Sequence, residues 1–299
     1  ETEKHLVHFC ALWKIKITKD GKAYKETYYN HIHTLFSLYH LSEEHKNIMC
    51  SLTLIPSTGI SARRFASWLD LFDMNSINDL IEVGFITPGI GRTLQLHPMI
   101  QEVALVELKP SVSNCKALCK NIRETCLLHG LDVPYYKIMF QTVENIIDMI
   151  DKDDADYYLL FLEDVFPYME NYRYYQGMEL VIDTLSVLLK DTAVGSASDR
   201  ALLLSYQAAC EKKADKAIKM QKGAIAMIAE VTPDNALMVS NLYANLGGMY
   251  GVNGKLELAK ENMEQAVKIM DEYGLAYYHD SIVQITNYAV LLTDMGQPE

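Results

Sequence analysis

Cys115, Cys119, Cys126 and His129 place four potential zinc ligands within fifteen residues. Zinc sites usually set cysteines two to four residues apart around a turn. Here Cys115, Cys119, Ile122 and Cys126 recur at i, i+4, i+7 and i+11, the spacing of one buried helix stripe. The cysteines are therefore expected to be packing residues, and no metal is assigned. Asp151-Lys152-Asp153-Asp154 has the charge to hold Mg²⁺, but it follows a helical stretch instead of a buried strand and reads as a solvated turn between helices. His31 and His33, two apart on a helix, do not share a face and are expected at the surface. A G-x-x-x-x-G-K-[ST] loop would cradle the phosphates of a nucleotide, yet the only Gly-Lys pairs, Gly21-Lys22-Ala23 and Gly254-Lys255-Leu256, do not fit it. With no Ser-His-Asp or Cys-His constellation either, no catalytic residue is assigned and the chain by itself is expected to hydrolyse nothing.

The elements that would position any binding residue are set by a repeat of 42 residues. Tyr243, Leu246, Gly247 and Tyr250 lie at helical spacing, Gly254 makes a turn, and Ala259, Met263 and Ala266 mark a second helix. One period earlier stand Ala201, Leu204, Ser205 and Ala208, then Ala217, Gln221 and Ala224; one period later, Ile285, Tyr288, Ala289, Leu292 and Gly296. Small residues at Ser205, Gly247 and Ala289 let paired helices approach closely. Phe161 to Leu189 reads as a degenerate earlier copy, with Tyr168 before its turn and Gly177, Val181 and Thr184 after it. The pattern resembles the tetratricopeptide repeat, slightly lengthened. Such arrays stack into solenoids that bind peptide or protein. Tyr206, Asn241, Asn245 and Asn287, polar or aromatic positions on the first helix of each unit, are the candidate partner-binding residues; each is equally well read as an ordinary solvent position.

Of 299 residues, 49% are hydrophobic and 22% charged, the composition of an ordered globular protein. No apolar run reaches the roughly 20 residues of a membrane span and no signal peptide opens the chain, so no membrane is expected. Six cysteines without a compact disulfide pattern fit a reducing, cytoplasmic compartment. The net charge of −12 is uneven: Lys and Arg number 11 against 12 Asp and Glu in residues 1–110, and 16 against 27 in residues 111–299. The acidic half disfavours nucleic acid and suits a basic or neutral protein ligand.

Upstream, residues 10–26 read as a hairpin turning at Asp20-Gly21, and a helix follows from Thr27 to Tyr39. Ser42 caps the next helix, with Glu43 and Glu44 in its first turn and a core face of Ile48, Met49, Leu52 and Leu54. Further helices start at Ser61 and near Ser76. Short strands follow at Phe85-Ile86-Thr87 and Thr93-Leu94-Gln95-Leu96. Three helices and a β-hairpin make a winged helix. Its third helix carries Asp79 and Glu82 and no Lys or Arg, which opposes DNA reading; Arg63, Arg64 and Arg92 are the few cations nearby.

Leu41 to Pro56, Gly59-Ile60, Trp68-Leu69, Leu80 to Ile86 and above all Leu96-His97-Pro98 running into Met99 to Ala104 resemble the winged-helix domain of bacterial STAND NTPases, the family of NB-ARC proteins, apoptosome scaffolds and plant NLR receptors. The similarity covers about residues 27–109. In that family a Met-His-Asp triplet sits at this junction and its histidine contacts the β-phosphate of ADP. The resemblance implies that role for His97, with Leu and Pro replacing the flanking residues; the alternative is a partly buried histidine bonded to backbone.

The expected fold is mainly α, a winged-helix domain followed by an α-α superhelix of tetratricopeptide repeats. Residues 1–40 lead into a winged helix at 41–109, a helical connector spans 110–155, and repeats occupy 156–299. Both ends read as cut, with Glu first and the last repeat incomplete at Gly296. The expected function is the non-catalytic, ligand-sensing part of a STAND NTPase: repeats bind a protein or peptide, and the winged helix couples to a nucleotide-binding domain that this chain lacks. No cofactor belongs to the chain, while ADP or ATP with Mg²⁺ is implied for the intact protein. The alternative is a transcriptional regulator with a DNA-binding winged helix and a peptide-sensing repeat domain.

Overall fold

The computed structural model describes residues 33–34, 39–127 and 135–297, apart from the side chains of Ile90 and His279. The hairpin at 10–26, most of the helix at 27–39, and His31 and His129 lie outside them. The chain divides into two compact units, Glu1–Phe161 and Leu162–Glu299.

The first unit begins with α1 (Glu43–Thr53), whose cap is the expected one: the Ser42 hydroxyl accepts from the His45 amide at 3.2 Å, beside Glu43 and Glu44. Strand β1 (Ile60–Ser61) leads into α2 (Ala62–Trp68), again capped by a serine, Ser61. Helix α3 (Asn75–Glu82) starts without a side-chain cap on its N-cap residue; instead the Asp73 carboxylate accepts from the Asn75 amide at 2.8 Å. Strands β2 (Ile86–Pro88) and β3 (Thr93–Leu96) form the hairpin, and the antiparallel sheet runs β1-β3-β2, with Ile60 opposite Leu94 and Ile86 opposite Leu96. Gly59, at φ +77°, must be glycine here: a Cβ would stand 2.8 Å from the Leu94 carbonyl oxygen. Ile48, Leu52, Phe65, Ile77, Leu80, Ile86 and Leu94 close one core. The order of elements is helix, strand, helix, helix, hairpin.

Helices α4 (Pro98–Glu107), α5 (Lys116–Leu127) and α6 (Tyr136–Met149) complete this unit with the first part of α7 (Ala155–Asn171). Side-chain amides satisfy carbonyls that helix ends leave orphaned: Gln101 donates to Thr53 O, Asn145 to Leu54 O and Asn121 to Trp68 O. The cysteine stripe is a buried helix face. Cys115, Cys119 and Cys126 are all within the core; burial pushes the Cys119 thiol up to about 12, and a hydrogen bond with Cys50, reinforced by burial, raises the Cys115 thiol as well. The 151–154 turn is more structured than a solvated loop. Asp151 pairs with Ser111 in a short parallel bridge, the Asp153 carboxylate accepts from the Ser113 amide, and that of Asp154 from the Tyr157 amide.

The second unit is all α: the rest of α7, α8 (Tyr175–Leu188), α9 (Ala197–Cys210), α10 (Ala214–Ala226), α11 (Ala236–Val252), α12 (Leu256–Tyr273) and α13 (His279–Asp294). It is a superhelix of helical hairpins, and the 42-residue period explains its packing. Gly247 lies where α11 meets α12, and a Cβ there would come 2.9 Å from Met263 Cγ and 3.1 Å from the Ala259 carbonyl oxygen. Ala236, Val239, Met263, Ala266 and Met270 form the core between these helices. Gly254 and Gly296, one period apart, end their helices alike at φ +69° and +71°; the following amides, of Lys255 and Gln297, return to Tyr250 O and Leu292 O. The early hairpin follows the degenerate copy, with Tyr168 and Val181 buried.

Candidate functional site

A common face of the array is built by the first helix of each hairpin. On it lie three of the four expected partner-binding positions. Asn245 on α11 and Asn287 on α13 are exposed and one period apart. Asn241 is half-buried and bridges two helices: its Nδ2 donates to Asp280 Oδ2 at 3.5 Å, and its Oδ1 accepts from the Gln284 amide nitrogen on α13.

Tyr206 is different, and its expected exposure is corrected. Only 8% of it is accessible; the ring stacks on Phe166 with centroids 3.8 Å apart, and its hydroxyl donates to the Glu163 carbonyl at 2.9 Å. The reason lies in Pro167, inside α7. A proline has no N–H, so the carbonyl four residues back, that of Glu163, loses its helical donor. Tyr206 supplies the replacement from the next hairpin. A proline at mid-helix was the sequence signal that an outside donor would be needed.

The face is strongly acidic. From Leu162 onward its helices hold Glu163, Asp164, Glu170, Asp199, Asp280 and Asp294 against a single Lys or Arg, Arg200. That guanidinium is occupied, donating to the carbonyls of Leu189, Asp191, Val194, Gly195 and Ser196. Of the second helices, α10 carries Lys216, Lys219 and Lys222 and α12 interleaves carboxylates with Lys260 and Lys268, whereas α8 holds Glu179 and Asp183 and no Lys or Arg. Burial, helped by Asp199, pushes the Glu163 carboxyl up to about 9, so it stays protonated at neutral pH; its Oε1 is buried without a partner. Burial also raises the Tyr206 hydroxyl, a shift that Glu163, Asp164, Glu170 and Asp280 reinforce, which keeps it a donor.

Polar ties between hairpins recur elsewhere in the unit. The buried Gln221 amide donates to Leu242 O at 2.9 Å, and the Tyr273 hydroxyl to Val231 O at 2.7 Å. Helix α13 leaves Ile282, Val283, Ile285 and Val290 exposed, while Tyr288 is half-buried with its hydroxyl donating to Glu264 Oε1.

In the first unit, His97 is the N-cap of α4. Its Nδ1 accepts from the Met99 amide at 3.3 Å and Pro98 takes the first helical position. Burial holds the imidazole below its ordinary pKa and hence neutral. With Nδ1 accepting, the ring proton resides on Nε2. One N–H donor at a helix amino end suits a phosphate oxygen, so the residue fits the nucleotide contact implied by the resemblance, as one donor only.

An open cleft of 930 Å³ lies between α2, α3 and the hairpin, lined by Arg63, Arg92, Leu71 and the wholly exposed Phe72. Arg64 is engaged, its Cζ 4.8 Å from the centre of the Tyr135 ring. Asp79 and Glu82 stand exposed on α3. Among the described residues no helix is long and apolar enough to cross a membrane.

No family model matches the chain, and no curated protein matches it. Among solved structures, it is similar to a signal transduction ATPase with numerous domains (STAND) protein with a tetratricopeptide repeat sensor, from Pyrococcus horikoshii. The identity is 12% and the TM-score 0.39, over 94% of this chain and 51% of that one. The chain thus spans about half the length of that protein.

Proposed function

We propose that this chain is the regulatory, ligand-sensing part of a STAND-type signalling protein. The first-helix face of the array takes a protein or peptide partner. The winged-helix unit relays occupancy to the nucleotide state of the intact protein, with His97 touching a phosphate. The observation that carries this reading is the shared face: exposed Asn245 and Asn287 recur at one period on helices joined by the Asn241–Gln284 bond. Helical arrays present such faces to extended ligands because each repeat adds an equivalent position.

Bound nucleotide would supply the switch, its phosphate charge differing between the two states. What His97 would contribute is an oriented donor: the cap fixes its ring, burial keeps it neutral, and Nε2–H would be the group offered to a phosphate oxygen at the positive helix end. The chain is proposed to be non-catalytic, since its sequence contains no phosphate loop.

The test uses the full-length protein purified with its nucleotide. His97→Asn keeps a good N-cap but removes the imidazole, so a folding defect and a lost phosphate contact separate. Loss of retained ADP at unchanged thermal midpoint is expected. Full retention in that variant would overturn the coupling role.

A further inference from the structure

We propose that the first-helix face recognises a cationic side chain, a lysine of an extended partner peptide, in the notch where Asn241, Asp280 and Gln284 meet. The proposal rests on the partner-binding reading given above and names the chemistry of the ligand.

Two independent observations point to it. The first is the sign of the first helices: with Glu163 protonated, Asp164, Asp199, Asp280 and Asp294 still stand against one arginine, which is engaged with backbone carbonyls. An anionic ligand would meet uncompensated repulsion there, whereas a cation would be drawn in. The second is a shortage of donors in the notch itself. Gln284 is 7% exposed, and its amide nitrogen is committed to Asn241 while its Oε1 has no partner. Ser281, adjacent to Asp280 and fully buried, also has a hydroxyl without a partner. Buried acceptors are costly when unmatched, and native structures leave few. An ammonium brings three donors and one positive charge, supplying a donor to the Gln284 oxygen beside the negative charge of Asp280. A neutral hydroxyl or amide ligand would supply donors but gain nothing from that field.

The experiment titrates a fluorescein-labelled pentalysine peptide with the full chain at about 0.15 M salt, where long-range attraction to an acidic protein is screened. Pentaglutamate and a Gly-Ser peptide serve as comparisons. Pentalysine alone is expected to bind. Asp280→Asn should weaken it about tenfold, and Asp183→Asn, an equal charge change on the exposed side of α8, should not. Asn241→Asp keeps the acceptor for Gln284 but replaces the amide that donates to Asp280 with a second carboxylate, a like-charge pair that a bound ammonium relieves, so it should tighten binding several-fold. This guards against an Asp280 variant that fails to fold. Equal weakening by Asp183→Asn and Asp280→Asn, or no gain in Asn241→Asp, overturns the notch as the site. If the Gly-Ser or glutamate peptide binds as well and Asn245→Ala with Asn287→Ala abolishes it, the partner face stands and the cationic ligand is wrong. Binding of no peptide at all overturns both.

Discussion

His97 and Tyr206 are two polar aromatic side chains with opposite relations to their surroundings. His97 serves its own helix: the group it satisfies is the Met99 amide, two residues on, and the proline beside it reinforces the same helix start. Tyr206 serves another helix, 43 residues away, where Pro167 has left the Glu163 carbonyl without a donor. One role is written in three consecutive letters. The other requires two distant residues that become partners only when hairpins stack. Side chains of the first kind are available for function once the local requirement is met, whereas those of the second kind hold the array together.

If that contrast is right, removing the Tyr206 ring should produce the largest loss. Tyr206→Ala deletes a buried aromatic stacked on Phe166, and large-to-small changes of this type cost about 3–5 kcal/mol. Urea unfolding of the chain would measure it. A loss below about 1 kcal/mol would mean that the α7–α9 contact collapses around the cavity and that Tyr206 is no tie.

The finer comparison removes only the hydroxyl. Tyr206→Phe leaves the Glu163 carbonyl buried and unmatched, at a cost of about 1–3 kcal/mol. Pro167→Ala restores the N–H that α7 lacks. In that background Tyr206→Phe should cost much less, and the double-mutant cycle should report the coupling. Additive effects would separate the proline from the tyrosine.

The same distinction governs what was legible in the sequence. The 42-residue period located the hairpins because Gly247, Ala259 and their counterparts obey a local steric rule, and Ser42 and Ser61 announced helix starts for a similarly local reason. Helix α3 was placed within a residue although its N-cap side chain makes no bond, since Asp73 substitutes from one position earlier. The expected exposure of Tyr206 failed because helical spacing reports which side of one helix a residue occupies, not what the neighbouring hairpin lays against it. Asn241 was correctly singled out as polar, but its partners Asp280 and Gln284 lie about one period downstream, at a separation that no local pattern encodes. The sign of the first helices was present in the letters, yet averaging charge over residues 111–299 concealed that the lysines of the repeat helices lie on α10 and α12, with none on α9, α11 or α13.

Glu163 tests the array side of the comparison through pH. Its folded-state pKa, near 9, lies above the unfolded value near 4.5, so the unfolded chain releases a proton that the folded one keeps. Stability should therefore be greatest below the unfolded value, fall as pH rises, and level off above about 9. Glu163→Gln mimics the protonated form and should flatten this slope, with thermal midpoints diverging upward from wild type between pH 5 and 9 and converging near pH 4. Parallel curves would show that Glu163 ionises freely.

The smallest effect belongs to the local side. His97→Ala removes a cap and should cost about 1 kcal/mol at pH 8. Because burial depresses the imidazole pKa, the stabilisation is fully present above the unfolded value of about 6.5 and is lost as pH falls through the folded one. A protonated ring donates from both nitrogens and can no longer accept from the Met99 amide, so variant and wild type should converge as pH falls through the folded-state value. Ser61→Ala removes the hydroxyl cap of α2, which has no such titration, and its cost should stay constant over the same range. If both differences were flat with pH, the His97 cap would be stabilising through shape alone, and the neutral, oriented donor assigned to it would lose its basis.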